Sequence, residues 1–562
     1  MQADKPISPA DPRIQEVLAL HRSGQLDKAA EKLLELLAAF PRQPQPRAHL
    51  GSLRLQQGRV EEALGEFDRV IEIQPDFGPA YGNRALALEK LGRLEEALKA
   101  YDRALSFKPE AWLYFNRGNS LRDLGRLEEA VESYALASRL DPKQVEALSN
   151  QGALYLRLGQ PGRALENFNQ ALLIDPENPD GFNNRGNAFR AIGKPREALE
   201  DYDHAIALAP DRADAWNNRG IALQELGRLP EAVENYGHAI ELQPAFAFAY
   251  WNQSQAQLLL GEFTEGWRLY EWRWKSAMKR ETRNFVQPLW LGGYSLKGKT
   301  LLIWAEQGMG DILQYSRYVP LVEALGARVI FEVPQPLFPL LKTLRGNIAC
   351  VEVGGPLPDF DLHCPLISLP LAFKTTLSTV PVQEAYLFAE PSKAAAWAEK
   401  LGPKTRPRIG LAWSGRPEHS NDHNRSMALE TLAPLLELPF EFHSLQKDIR
   451  AGDQEWLEAS GRIQDHRESL TDFSETAALA AQMDGVVTVD ASTAHLAGAL
   501  GKPIWVLLPF APDYRWLLKR SDSPWYPTAL LLRQETFGNW DGVIERAVGE
   551  VKNKFTGWPM EK

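Results

Sequence analysis

The chain has 562 residues, too many for a single hydrophobic core, and a composition of 44% apolar and 24% charged residues, so several globular domains are expected. A net charge of −10 argues against a nucleic-acid binder, which needs a basic face, and two cysteines, Cys350 and Cys364, are too few for a disulfide framework or a structural zinc site. The N-terminus lacks the apolar run of a signal peptide, and the longest apolar stretch, residues 487–510, is broken by Asp490, His495 and Lys502, so a cytoplasmic protein with no membrane span is expected.

From the N-terminus onward a period dominates. Gly24, Gly58, Gly92, Gly125, Gly159, Gly193, Gly227 and Gly261 stand 34 residues apart at every step but one, which is 33. Ala29, Ala63, Ala97, Ala130, Ala164, Ala198 and Ala232 keep step, as do Pro41, Pro75, Pro109, Pro142, Pro176, Pro210 and Pro244. A 34-residue period is the signature of the tetratricopeptide helix–turn–helix, stacked into a solenoid. In each unit the glycine closes helix A with a left-handed cap and the proline stops helix B. A small residue on helix A (Gly51, Ala85, Gly118, Gly152, Gly186, Gly220, Ser254) is expected to let that helix approach the alanine of helix B. Seven repeats and a degenerate eighth, residues 251–273, place the solenoid over 9–279.

Two residues before six of the seven small positions lies an asparagine: Asn83, Asn116, Asn150, Asn184, Asn218 and Asn252. A row of amides on a concave groove, each a donor and an acceptor, suits the backbone of an extended acceptor peptide; the alternative is that asparagine here only helps neighbouring repeats stack. Arg84, Arg117, Arg185 and Arg219 run beside the row and imply either a groove friendly to carboxylates or internal salt bridges to glutamates.

The last repeat runs into an aromatic segment, Trp267, Tyr270, Trp272 and Trp274, expected to join the solenoid to the C-terminal half of the chain. That half reads as α/β. Residues 300–305 form a strand that opens on Gly308-Met309-Gly310-Asp311 and a helix through Tyr315 and Tyr318; 328–333 is the next strand. A second unit has strands at 408–413, 441–447 and 485–490, with a polar loop over 414–426. A helix begins within 491–495, with Ser492 or Thr493 expected as its cap, and its N-terminus offers an anion site to which Arg425 can add charge. Gln446, at the end of the 441–447 strand, is grouped with this donor-side set. The two halves span 296–395 and 405–558.

These motifs carry a resemblance. Gly308-Met309-Gly310-Asp311 resembles the N-terminal glycine–aspartate loop of the bacterial heptosyltransferase family, and Val489-Asp490-Ala491-Ser492-Thr493-Ala494-His495-Leu496 resembles that family's C-terminal Asp-Thr-Gly-x-x-His donor motif. The similarity covers roughly 299–540 and implies a GT-B glycosyltransferase of two Rossmann-like halves. The linked architecture is similar to O-GlcNAc transferase and to flagellin glycosyltransferases, in which tetratricopeptide repeats present a protein acceptor. The resemblance implies a metal-independent enzyme with no cofactor, a nucleotide sugar as co-substrate and a protein acceptor, flagellin among the candidates. It makes Asp311 the general base and puts Asp490 and His495 at the donor, beside Arg425, Gln446, Ser492 and Thr493 of the anion-site set; as an aspartate, Asp311 can instead cap its helix. The chain departs from the family at Ala491-Ser492, and at 509–516 and 523–527, which fit either a different sugar or acceptor, or an aromatic brace under the C-terminal helix.

Three other patterns are set aside. Asp359-Phe360-Asp361 has the form of a manganese site but reads as a solvated turn before a strand, and Asp201-Tyr202-Asp203 as surface charge on a repeat helix. His419 and His423 have metal spacing around Asp422 without a third ligand, so substrate contact is the expected use. No phosphate loop or nucleophile elbow is present. The competing function is a scaffold whose α/β half is inactive, with transfer to a glycan or lipid as a third.

Overall fold

The computed structural model describes Ser8 and residues 11–276, 281–418 and 421–558. Residues 1–7, on which the reading of the N-terminus rests, and His419 lie outside the described residues. Packing divides the chain into two compact units, and the break falls inside the helix Ala213–Glu225, between Ala222 and Leu223, rather than at the end of the helical repeats.

The first unit is a succession of helical hairpins, such as Val145–Arg157 with Pro161–Ile174 and Pro179–Ala191 with Pro195–Leu208. All eight periodic glycines adopt positive φ, from 69° at Gly159 to 85° at Gly261, which a residue without Cβ does at little cost. The periodic prolines stand two residues beyond the second helices, as Pro142 does after Leu140 and Pro176 after Ile174. The small position on the first helix serves a different partner from the one expected. A Cβ on Gly152 would lie 2.7 Å from the Phe168 ring, and Gly51, Gly118 and Gly186 meet Phe67, Tyr134 and Tyr202 in the same way. The ring sits one turn after the alanine, so the missing side chain makes room for an aromatic rather than for Ala164 or its equivalents.

The arginine row is internal. Arg84 pairs with Asp68 (2.6 Å), Arg117 with Asp102 (2.8 Å), Arg185 with Asp201 (2.7 Å) and Arg219 with Asp203 (2.6 Å), all aspartates of neighbouring helices and none a glutamate. Asp201 is therefore buried, at 3% exposure, and its reading as surface charge is corrected; Asp203 stays exposed.

The second unit starts with the helices Leu229–Leu242, Ala247–Leu260 and Phe263–Tyr270 and continues into two parallel sheets. The first contains β1 (Thr300–Trp304), β2 (Arg328–Val333), β3 (Ile348–Glu352) and β4 (Leu362–Pro365) in the order β3-β2-β1-β4. The second contains β5 (Arg408–Ala412), β6 (Glu441–Ser444), β7 (Ile463–Gln464), β8 (Gly485–Val489), β9 (Ile504–Leu508) and β10 (Ala529–Arg533) in the order β10-β9-β8-β5-β6-β7. Strands β5, β8 and β9 are buried throughout, as strands covered on both faces must be. Strand β6 ends at Ser444 rather than 447, because Gln446 turns out of the sheet to hold the loop after β5.

The aromatic segment does join repeats to sheets. Trp267 packs edge-on against Tyr315 and Tyr514, and the Trp274 ring lies tilted against Trp304. Trp272 instead stacks on Tyr250 within the helices. Arg273, fully buried, makes two 2.8 Å bonds to Glu306 at the end of β1 and one to Ser368 after β4. Tyr514, Trp516, Trp525 and Tyr526 form the expected packed brace, but against Trp267, Phe263, Tyr315 and His495, not under the C-terminal helix Asp541–Lys554.

Candidate functional site

In an open parallel sheet, loops leaving adjacent strands in opposite directions open a crevice where the strand order reverses, at the carboxyl ends. In the second sheet that place is between β5 and β8; in the first it is between β1 and β4. The four loops that leave these strands carry residues 414–418 and 421–425, 490–495, 306–311 and 366–368. The helices that come after β1 and β8, Met309–Tyr315 and Ser492–Ala499, pack on each other. Gly310 makes this possible: a Cβ there would stand 2.8 Å from His495 Cδ2 and 3.4 Å from Ser492 Cα. The Tyr315 and Tyr514 hydroxyls, 3.0 Å apart, and the Arg317 guanidinium on the Trp525 carbonyl tie the two sheets' halves further.

Asp311 is the third residue of its helix, not the cap; the cap position is Gly308, whose N–H donates to Asp311 Oδ2 at 3.0 Å. Its other oxygen forms an ion pair with Arg515, which also bonds Asp513 at 2.6 Å. Burial raises the Asp311 carboxyl above its ordinary range, against the pull of Arg515, with neighbouring Asp513 adding to the rise.

On the other side, Asp490 is buried at the end of β8 and is pushed up to about 6 by burial and by Asp513. Arg425 crosses from the β5 loop to donate to the Asp490 carbonyl at 3.0 Å, and its Nε–H is buried with no acceptor among the described residues. His495 is held neutral by burial; its Nδ1 lies 2.9 Å from the Tyr526 hydroxyl and its ring stacks on Trp516. The helix Ser492–Ala499 is capped by the extended Ala491 and by no side chain, so neither Ser492 nor Thr493 is the cap; they are its first two residues, half-buried and buried.

Gln446 is engaged within the protein. Its oxygen accepts the N–H groups of Trp413 and Ser414, both at 3.1 Å, and its nitrogen donates to Ser414 Oγ and the Asp448 carbonyl. It shapes the loop that presents Arg425. Asp422 is likewise committed, to Arg450 and Ser426, while His423 is exposed. Asp361 accepts from the Thr300 N–H beside β1, as a turn residue would. Among the described residues no cluster of three or more His, Cys, Asp or Glu could hold a metal. Missed from the sequence were Arg515, Asp513 and the Arg273–Glu306 pair; the signal at Arg515 was masked by the aromatic run around it.

The site thus joins one buried carboxylate from the first half with guanidinium groups, a helix N-terminus and a neutral imidazole from the second. Such an arrangement suits an anion on one side and proton acceptance on the other.

Comparison with known proteins bears on the helices. The family described as TPR repeat matches residues 118–159 and 186–227, and those described as Tetratricopeptide repeat match 14–76, 50–111, 145–178 and 213–246. These helices are tetratricopeptide repeats. Protein FlbA of Caulobacter vibrioides is 27% identical over 323 residues, 53% of each chain, so the chain spans about half the length of that curated relative. Among solved structures, YrrB, "a TPR protein with an unusual peptide-binding site", is 24% identical with a TM-score of 0.31, over 33% of this chain and 96% of that one. Pseudomonas aeruginosa PilF is 22% identical with a TM-score of 0.32, over 36% and 92%.

In the tetratricopeptide repeats the six asparagines Asn83, Asn116, Asn150, Asn184, Asn218 and Asn252 are all half-buried. Asn218 donates to Asn183 in the preceding repeat at 3.0 Å, so at that position the amide does link neighbouring repeats. Among the described residues no helix is long and apolar enough to cross a membrane.

Proposed function

We propose that the protein is a GT-B glycosyltransferase that moves a sugar from a nucleotide-sugar donor to a hydroxyl of a protein held by its tetratricopeptide repeats. One observation carries the reading: the order β10-β9-β8-β5-β6-β7 reverses between β5 and β8, where Arg425 and the Asp490–His495 turn lie opposite Asp311 of the first sheet. In this reading the donor diphosphate lies against Arg425 and the start of the helix Ser492–Ala499. The acceptor oxygen bonds to the anomeric carbon as its bond to phosphate breaks; the nucleoside diphosphate leaves and the proton passes to Asp311. The asparagine row would bind the acceptor backbone, and flagellin is the first acceptor to test on the resemblance in architecture. The same reading puts the protein in the cytoplasm, a reducing compartment in which Cys350 and Cys364, both free, stay thiols.

A scaffold is the second reading, favoured by the Arg515 guanidinium that already occupies Asp311. Thermal shift with a panel of nucleotide sugars separates the two. A donor at about one hundred times its dissociation constant adds about 2.7 kcal/mol to stability. That gain is expected in the wild type and lost in Arg425→Ala; a panel that stabilises neither protein would remove the donor site.

A further inference from the structure

Arg515 lies in the short helix Tyr514–Trp516 after β9, 204 residues from Asp311, yet the two side chains form an ion pair that crosses from one α/β half to the other. Its hold is specific in three ways. The side chain is 11% exposed and Asp311 16%, so the pair is largely removed from solvent. Asp513 fixes the guanidinium from behind at 2.6 Å and itself receives the Arg515 backbone N–H at 3.0 Å. Asp311, in turn, is fixed by the Gly308 N–H, so neither partner can swing without breaking a second bond.

We propose that Arg515 is a positioning residue: it reaches across the cleft to keep the Asp311 carboxylate charged and aimed. This rests on Asp311 being the base of the proposed transfer. The groups around the carboxylate leave Arg515 as its counter-charge. Tyr270 from the helix Phe263–Tyr270 and Tyr315 from Asp311's own helix are kept neutral by burial, His495 is neutral opposite Gly310, and Asp513 is a like charge. Glu306 is neutralised by Arg273, and Arg425 is engaged at Asp490. Without Arg515, a buried carboxylate would face Asp513 alone, and both effects favour its protonated form.

The experiment uses full-length Arg515→Gln, Arg515→Lys and the double variant Arg515→Gln/Asp311→Asn. The first arm is the pH profile of transfer. Removing an opposite charge at this range raises a carboxyl pKa by about 1–3 units, so the acid limb of Arg515→Gln should move up by that amount and that of Arg515→Lys by less. An unmoved limb with a uniformly lower rate would overturn the proposal, since a structural loss alone does that. The second arm needs no activity. Arg515→Gln should melt close to the wild type at pH 5 and progressively below it towards pH 8, because a folded-state carboxyl pKa raised above its unfolded value costs stability as pH rises. The pH-dependent part should vanish in the double variant. If it persists there, another acid is responsible and the proposal fails. If no variant or wild type transfers sugar while the second arm holds, the charge linkage stands and the transferase reading falls.

Discussion

Asp311 carries two bonds that pull against its burial. The Gly308 N–H and Arg515 both favour its charged form, while burial favours the protonated one. A base needs this balance, because a carboxylate fully stabilised by its partners has no affinity left for a proton. Asp311→Asn keeps an oxygen for the Gly308 N–H but cannot accept the proton. Turnover should fall by about 10²–10⁴-fold with donor binding retained, measured by initial rates beside nucleotide titration; a wild-type rate would make Asp311 a helix-terminal residue only. The sequence showed Asp311, Asp490 and His495 because each lies in a short motif at the end of a strand, and Arg425 because it is a cation in the polar loop after β5. It hid Arg515, whose partner is distant in the chain, and it misread Gln446, whose polar atoms all turn back to the loop after β5 and to its own strand end.

At the scale of the element, the repeat glycines fall into two physically different sets. Gly159 has φ +69° and nothing within 4 Å of a Cβ, so an alanine there meets only backbone strain. Gly152 has a helical backbone but a Cβ there would enter the Phe168 ring at 2.7 Å. Gly159→Ala should therefore cost about 1 kcal/mol, whereas Gly152→Ala displaces a buried ring and should cost about 1–3 kcal/mol. Chemical denaturation of the two variants checks the order, and a larger loss at Gly159 would contradict this account of the packing. The turn glycines were legible because only the left-handed conformation demands glycine at such a spacing. Their helix-A counterparts were legible as small but not by partner, since sequence alone does not say which residue of the next helix lies across the contact. Among the strands, β1, β2, β5, β6 and β8 could be read from apolar runs beside glycine or turn residues. Strand β4 was read only as the strand that follows the turn at 359–361, and β3, β7, β9 and β10 went unread: β7 has two residues, and β9 lies inside one apolar run with β8 and its helix.

For the whole molecule, the proposed function gives the tetratricopeptide repeats the binding of a protein and the crevice of the two parallel sheets the chemistry. The central claim is that one chain joins the two, so that a bound protein is the thing modified. It is tested most directly by intact-mass analysis of a partner captured by the repeats, flagellin first, after incubation with the protein and a panel of nucleotide sugars. The account predicts a mass gain of one or more glycosyl units with wild-type protein, none with Asp311→Asn, and a reduced gain with Asn150, Asn184 and Asn218 all changed to Ala. Each amide lost from a bound backbone should weaken acceptor binding by about 0.5–1.5 kcal/mol. A partner that binds the repeats yet gains no mass with any nucleotide sugar would contradict the claim and leave the chain a scaffold.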